Sequence, residues 1–246
     1  MKKTFSIKEP FVFGWQTMRA HSALVFKVAL TMLALQVAFE IVMEVLVPSA
    51  IGMLAAIVLM VFLIVTGFGA SIISLKLARG TVAHYKDLLP SVKFVVRYVL
   101  ASILVGLMVL APLLVAGIIV AVVAVVFGVS FVGGTVAHAY VSFWVLCVSI
   151  SLLLAMALTL SGYLLLRYSF VRFAVVDTTT VLGSLGESVR LVRGHTLEVF
   201  GFFIALLALN LLGMLLFLVG LLVTIPVTMI AYAHVYQKLK GHVETR

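Results

Sequence analysis

Charge is what this chain lacks. From Tyr98 to Leu166 lie 69 residues without Asp, Glu, Lys or Arg, and from Val199 to Gln237 lie 39 more. Charged residues make up 10% of the chain and hydrophobic residues 65%, with a mean hydropathy of +1.34. Soluble domains carry about a quarter charged residues, so a soluble fold is excluded. The apolar runs exceed the ~20 residues that cross a bilayer as a helix, which excludes the short alternating strands of a membrane barrel. Cysteine is nearly absent: Cys147 alone cannot form an intramolecular disulfide or a thiolate metal cluster. No H-E-x-x-H, G-x-S-x-G or phosphate-binding glycine loop is present. We therefore expect no enzyme, no metal site and no cofactor. Acids are scarce as well, with 8 Asp+Glu against 17 Lys+Arg and a net charge of +9. In a membrane chain that excess reads as topology and contact with anionic headgroups, with no nucleic-acid partner.

What is present reads as an all-α polytopic bundle of six spans, one integral membrane domain over 1–246. The expected spans are about 22–45, 51–77, 98–127, 137–166, 197–216 and 219–237. Pro48 marks the first outer turn, Gly133 and Gly134 the second, and the last apolar block divides at 215–220. Small residues recur at helical spacing on three spans: Gly67, Ser71, Ser74, Ala78; then Ser151, Ala155, Thr159, Gly162; then Gly220, Thr224, Thr228, Ala231. Such stripes let helices approach closely in lipid. Pro112 and Pro226 fall inside spans, where they bend or break a helix.

Two segments read as short amphipathic helices. In 6–19, Ser6 and Glu9 form an S-x-x-E capping pattern, and Ile7, Phe11, Trp15 and Met18 share a face. This predicts an interfacial helix with Trp15 at headgroup depth rather than a signal peptide, because no apolar core or cleavage site follows the basic start. In 180–193, Val181, Leu182, Leu185, Val189 and Val192 share one face and Glu187, Arg190 and Arg193 the other. This predicts a cytoplasmic surface helix whose Arg190 and Arg193 contact anionic lipid. Six spans place both termini and the intervals 79–97 and 167–195 on one side. All 17 Lys and Arg residues lie in or beside these segments. The positive-inside rule then puts both termini in the cytoplasm, across a cytoplasmic membrane.

The segments FSIKEPFVFGW at the amino terminus, RYSFVRFAVVD, LGESVRLVRGH and LLVTIPVTMIAYAHVYQKL resemble a poorly characterised prokaryotic family of multi-pass membrane proteins. That family includes YciC-like proteins and the membrane domain attached to some glycerophosphodiester phosphodiesterases. The resemblance implies a membrane role without a catalytic residue, since in those phosphodiesterases catalysis belongs to a soluble domain.

Four intramembrane polar residues stand out. Gln36, Glu40 and Glu44 recur every fourth residue on the first span, and Asn210 lies in the fifth. An ionisable group in hydrocarbon is costly, so it marks either a path for an ion or substrate or an interfacial acid. Asn210 is expected to make an interhelical hydrogen bond. His84 and His138 fall in similar strings on opposite sides of the expected topology, and His234 fits an aromatic belt beside Tyr232 and Tyr236. Two readings follow. The first is a non-catalytic protein that organises lipid or binds a partner, including another copy of itself, at the cytoplasmic face. The alternative is a small-solute or ion transporter that uses the Glu40 face.

Overall fold

The computed structural model describes residues 6–45, 49–131 and 136–244, with the side chains of 126–142, 217–219 and 244 left aside. The expected turns at Pro48 and at Gly133–Gly134 fall outside the described residues, and the His138 side chain is likewise not described. Among the described residues the chain is all-α, without a strand. In order it runs α1 (Lys8–Ala20), α2 (Ser22–Val45), α3 (Ala50–Ala78), a 3-10 turn (Tyr85–Leu88), α4 (Val92–Phe131), α5 (Val136–Arg167), α6 (Val171–Asp177), α7 (Val181–Val192), α8 (Thr196–Leu215) and α9 (Phe217–Glu244). Six of these segments are long and apolar enough to cross a membrane: α2, α3, α4, α5, α8 and α9. The protein is a multi-pass membrane protein built as a helix bundle.

Helix ends follow local chemistry. Ser49 accepts from the Gly52 N–H at 3.0 Å and starts α3, and Thr180 accepts from the Gly183 N–H at 3.1 Å and starts α7. Gly80 (φ 67°) and Gly194 (φ 86°) follow the ends of α3 and α7 in the left-handed region that glycine adopts without steric cost. The capping pattern at Ser6 does not form: the α1 N-cap is Ile7, without a side-chain hydrogen bond. The Glu9 carboxylate pairs instead with Lys238 on α9. That contact holds the Glu9 carboxyl below its ordinary pKa.

The chain forms two compact units, Met1–Ala101 with Phe170–Arg246, and Ser102–Ser169. In the larger unit α9 packs against α1, α8, α3, α2 and α7, so it is the central strut. Phe68, Phe170, Phe173, Phe202 and Tyr236 are its largest fully buried side chains. Phe170 and Phe173 pack against the rings of Tyr232 and Tyr236 at 5.1–6.0 Å between centroids. Close approaches are made at glycines. A Cβ on Gly14 would lie 2.6 Å from the Val227 carbonyl oxygen, and one on Gly69 would lie 2.1 Å from the Leu88 carbonyl oxygen. A Cβ on Gly220 would meet the Gly213 carbonyl oxygen at 2.2 Å, which sets the tight α8–α9 hairpin.

Both short amphipathic helices are turned partly away from the expected face, keeping Met18 on α1 and Leu185 and Val192 on α7 buried. On α1 the buried residues are Pro10, Gly14 and Met18, while Ile7, Val12 and Trp15 stay 43–54% exposed. Gly14 lets the two backbones touch, and that contact governs the rotation of the helix. On α7 the buried residues are Ser184, Leu185, Ser188, Leu191 and Val192, and Leu182 is 75% exposed. The serines can be buried because each is satisfied. Ser184 donates to the Val181 carbonyl at 2.6 Å, and Ser188 accepts from the Phe170 N–H at 3.2 Å.

The smaller unit contains the remainder of α4 and α5. Pro112 does not break α4. Beside it Ser161 on α5 donates to the Val109 carbonyl at 2.8 Å. The carbonyl left without a donor by the missing Pro112 N–H is that of Met108, so this bond links the two helices beside the proline without replacing the lost one. Among the described side chains of α5, Ala157 and Ser161 are the buried ones. The small-residue stripe read from the sequence, at Ser151, Ala155, Thr159 and Gly162, is exposed.

Candidate functional site

The densest polar construction lies where α3, α6 and α9 end. Asp177 closes α6, and its carboxylate is 10% exposed. Arg79 Nη2 donates to both carboxylate oxygens at 2.7 Å. Lys240 Nζ donates to Oδ2 at 2.7 Å and the Tyr236 hydroxyl to the same oxygen at 2.8 Å. Tyr236 and Lys240 are four residues apart, so one face of α9 delivers both. With its amide oxygen turned toward Arg79, Gln237 accepts from Nη2 at 3.0 Å and Nε at 2.7 Å. Arg97 donates to the Thr178 carbonyl next door. Two cations meet one carboxylate that also accepts from a phenol. The arrangement ties three helices together, with one donor on Oδ1 and three on Oδ2.

A second ion pair supports the neighbouring loop. Lys76 Nζ lies 2.7 Å from Asp87 Oδ1, and the His84 N–H donates to Asp87 Oδ2 at 2.9 Å. Burial pushes the Asp87 carboxyl up, but these two donors outweigh it and hold the group below its ordinary value.

The residues singled out from sequence do not gather at one site. Gln36, Glu40 and Glu44 are all exposed on α2, and Gln36 Nε2 donates to Glu40 Oε1 at 2.9 Å. Gln36 alone of the three borders a crevice of about 280 Å³ between α2, α3 and α9. The walls of that crevice are otherwise almost wholly apolar, among them Val28, Met32, Leu63, Ile73 and Ile230. Asn210 does not make the expected bond through its oxygen: Oδ1 is buried without a hydrogen-bond partner among the described residues, as is Thr224 Oγ1. On the neighbouring turns Gly213 and Thr224 are in tight contact, which fixes the spacing of α8 and α9. Arg190 and Arg193 are exposed at the end of α7, with Arg190 Nε 3.8 Å from Glu187 Oε2. His234 stacks on Phe13, centroids 4.0 Å apart.

No group of three or more His, Cys, Asp or Glu side chains able to hold a metal occurs among the described residues. The Asp177 cluster was missed in sequence. Its one signal is an isolated acid: Asp177 is the only Asp or Glu between Asp87 and Glu187. No family model, no curated protein and no solved structure matches the chain.

Proposed function

We propose that this is a non-catalytic multi-pass membrane protein that organises lipid, or binds a partner, at the face carrying α1, α7 and the chain ends. We place it in the cytoplasmic membrane of a prokaryotic cell, with both termini and the α6–α7 interval in the cytoplasm. The proposal includes membership of the YciC-like group that the sequence resembles. One observation carries the reading. Among the described residues the polar side chains of the spans do not converge on a cavity, whereas Arg190 and Arg193 project from a helix fixed to the bundle through Ser188 and Leu191. A transporter needs the first arrangement, and a lipid-organising surface needs the second.

Reconstitution tests it. In liposomes of phosphatidylcholine with a minority of labelled phosphatidylglycerol, energy transfer from Trp15 and Trp144 should report enrichment of the anionic lipid around the protein. Arg190→Gln with Arg193→Gln should lower that enrichment by about fivefold or more. Equal transfer to labelled phosphatidylcholine would overturn the lipid reading. A proton or solute flux abolished by Glu40→Gln would favour the alternative, a small-solute or ion transporter. Orientation is tested separately. A cysteine at Ser49 should react with an impermeant thiol reagent added to intact cells, and one at the exposed Leu182 only after permeabilisation. The reverse pattern would invert the topology.

A further inference from the structure

Helix α1 lies against α9 but does not fill the space beside it. Two open pockets run along its flank, one of about 440 Å³ and one of about 370 Å³. They share Val12 and Gln16 as walls, so they form one continuous groove. The first pocket is mostly apolar on its surface but carries polar side chains at its border, Lys8, Glu9, Gln16 and His234. The second is apolar, bordered by Leu209, Val223 and Val227. We propose that this groove holds one anionic phospholipid, with its phosphate at Lys8, Gln16 and His234 and an acyl chain along Val12, Leu209 and Val223. The proposal rests on the lipid-organising reading and gives it a site.

Four observations support an amphiphile of that charge. The Glu9 charge is already met by Lys238, so the polar border of the first pocket presents a surplus of donors. His234 Nε2 is buried without a hydrogen-bond partner among the described residues. Its ring is fixed by stacking on Phe13 at 4.0 Å, and the nitrogen lies beneath the pocket wall, where a phosphate that reached it would supply the partner the chain does not. The spacing along α9 is right. His234 and Val223 are eleven residues apart, about 16 Å at the helical rise, which is near half the ~30 Å hydrocarbon core and so the depth of one leaflet. Finally, α1 turns Ile7, Val12 and Trp15 outward, 43–54% exposed, as a helix at a lipid interface does. The groove therefore opens toward lipid rather than toward bulk water.

The test uses the full chain, purified in detergent and stripped of lipid. Dioleoylphosphatidylglycerol or dioleoylphosphatidylcholine is added, and retained lipid is counted by native mass spectrometry. The wild type should hold one phosphatidylglycerol several-fold better than phosphatidylcholine. Lys8→Gln should weaken that retention about fivefold. His234→Phe keeps the stack on Phe13 and removes Nε2, and should weaken it similarly. Val12→Trp narrows both pockets at a position 54% exposed, so it should block retention while the circular dichroism of the helices stays unchanged. Phosphatidylglycerol retained equally by the wild type and all three variants would overturn the site, while the lipid-organising reading could still stand on the enrichment seen in liposomes. Equal retention of the two lipids would overturn the anionic headgroup. A wild type that retains neither would overturn the site, and would overturn the functional reading only if the enrichment in liposomes were also absent.

Discussion

The packed end of the larger unit and the Ser102–Ser169 hairpin are both apolar, yet they are built in opposite ways. In the first, aromatic side chains such as Phe68 and Tyr236 are fully buried, and α9 is the most enclosed of the spans. In the second, only Ala116, Ala157 and Ser161 are buried among the described side chains. Hydrophobicity does not separate them. Lipid tails are as apolar as leucine, so helices gain little from burying leucine against each other. They associate where backbones can approach or where polar groups need partners. The larger unit has both, in Gly14, Gly69, Gly213 and Asp177. In the hairpin, a Cβ on Gly106, Gly117 or Gly162 would meet nothing within 4 Å.

The contrast can be broken most directly at the glycines. Gly69→Val would drive a side chain into the Leu88 carbonyl and should cost about 3 kcal/mol or more, read as thermal unfolding in micelles. Gly117→Ala, in open space, should instead be neutral or stabilise α4 by up to about 1 kcal/mol. Equal losses at the two positions would remove the distinction. Leu185→Asp comes next. It buries a carboxylate where α7 meets α6, and should cost about 3 kcal/mol and release 181–192 to rapid hydrogen exchange in nanodiscs. Unchanged protection there would mean that α7 holds by its serines alone. Asp177→Asn should cost about 2 kcal/mol, because Arg79 and Lys240 would then face each other without an anion. A double change to Asp177→Asn with Lys240→Met should recover part of that loss.

The smallest effect concerns acid. Asp87 titrates below its ordinary value of 3.8 in the folded protein, so its pair with Lys76 stabilises the fold above that value. The contribution disappears as pH falls from about 4 through the folded pKa. With Lys76 37% exposed, it should stay under about 1 kcal/mol. Lys76→Met should flatten the acid limb of the melting profile, and a profile unaltered by that change would assign the acid sensitivity to another carboxylate.

How much of this was legible in the sequence follows from the same physics. The long helices show as charge-free runs, because a charge in hydrocarbon is expensive. The limits of α7 show as Thr180 and Gly194, because capping is local chemistry. Which face turns inward does not show. On α7 the sequence offered Val181, Leu182, Leu185, Val189 and Val192; the helix buried Leu185 and Val192 of these, and added Ser184, Ser188 and Leu191. On α1 it offered Ile7, Phe11, Trp15 and Met18; the helix buried Met18 of these, and added Pro10 and Gly14. In lipid an exposed leucine costs nothing, so apolar periodicity loses its meaning as a guide to burial. The Asp177 cluster stayed hidden because its members lie at 79, 177, 236 and 240, and only folding brings them together. Asn210 was read as making an interhelical hydrogen bond, yet its Oδ1 is buried without a partner among the described residues, and the close α8–α9 approach nearby is made at Gly213.

The first helix of the chain rests on the last. Glu9 pairs with Lys238 across 229 positions of sequence, and Gly14 seats α1 on the Val227 carbonyl. During synthesis α1 leaves the ribosome long before its seat exists. Until α9 has been made and inserted, the apolar side of α1 has only the membrane surface to rest on. Assembly of the packed end therefore waits on the synthesis of α9 and does not follow from the insertion of each span alone. A chain truncated before Pro226 would insert most of its spans and still lack the partner that α1 needs, leaving a membrane-inserted but unfinished protein for quality control to find.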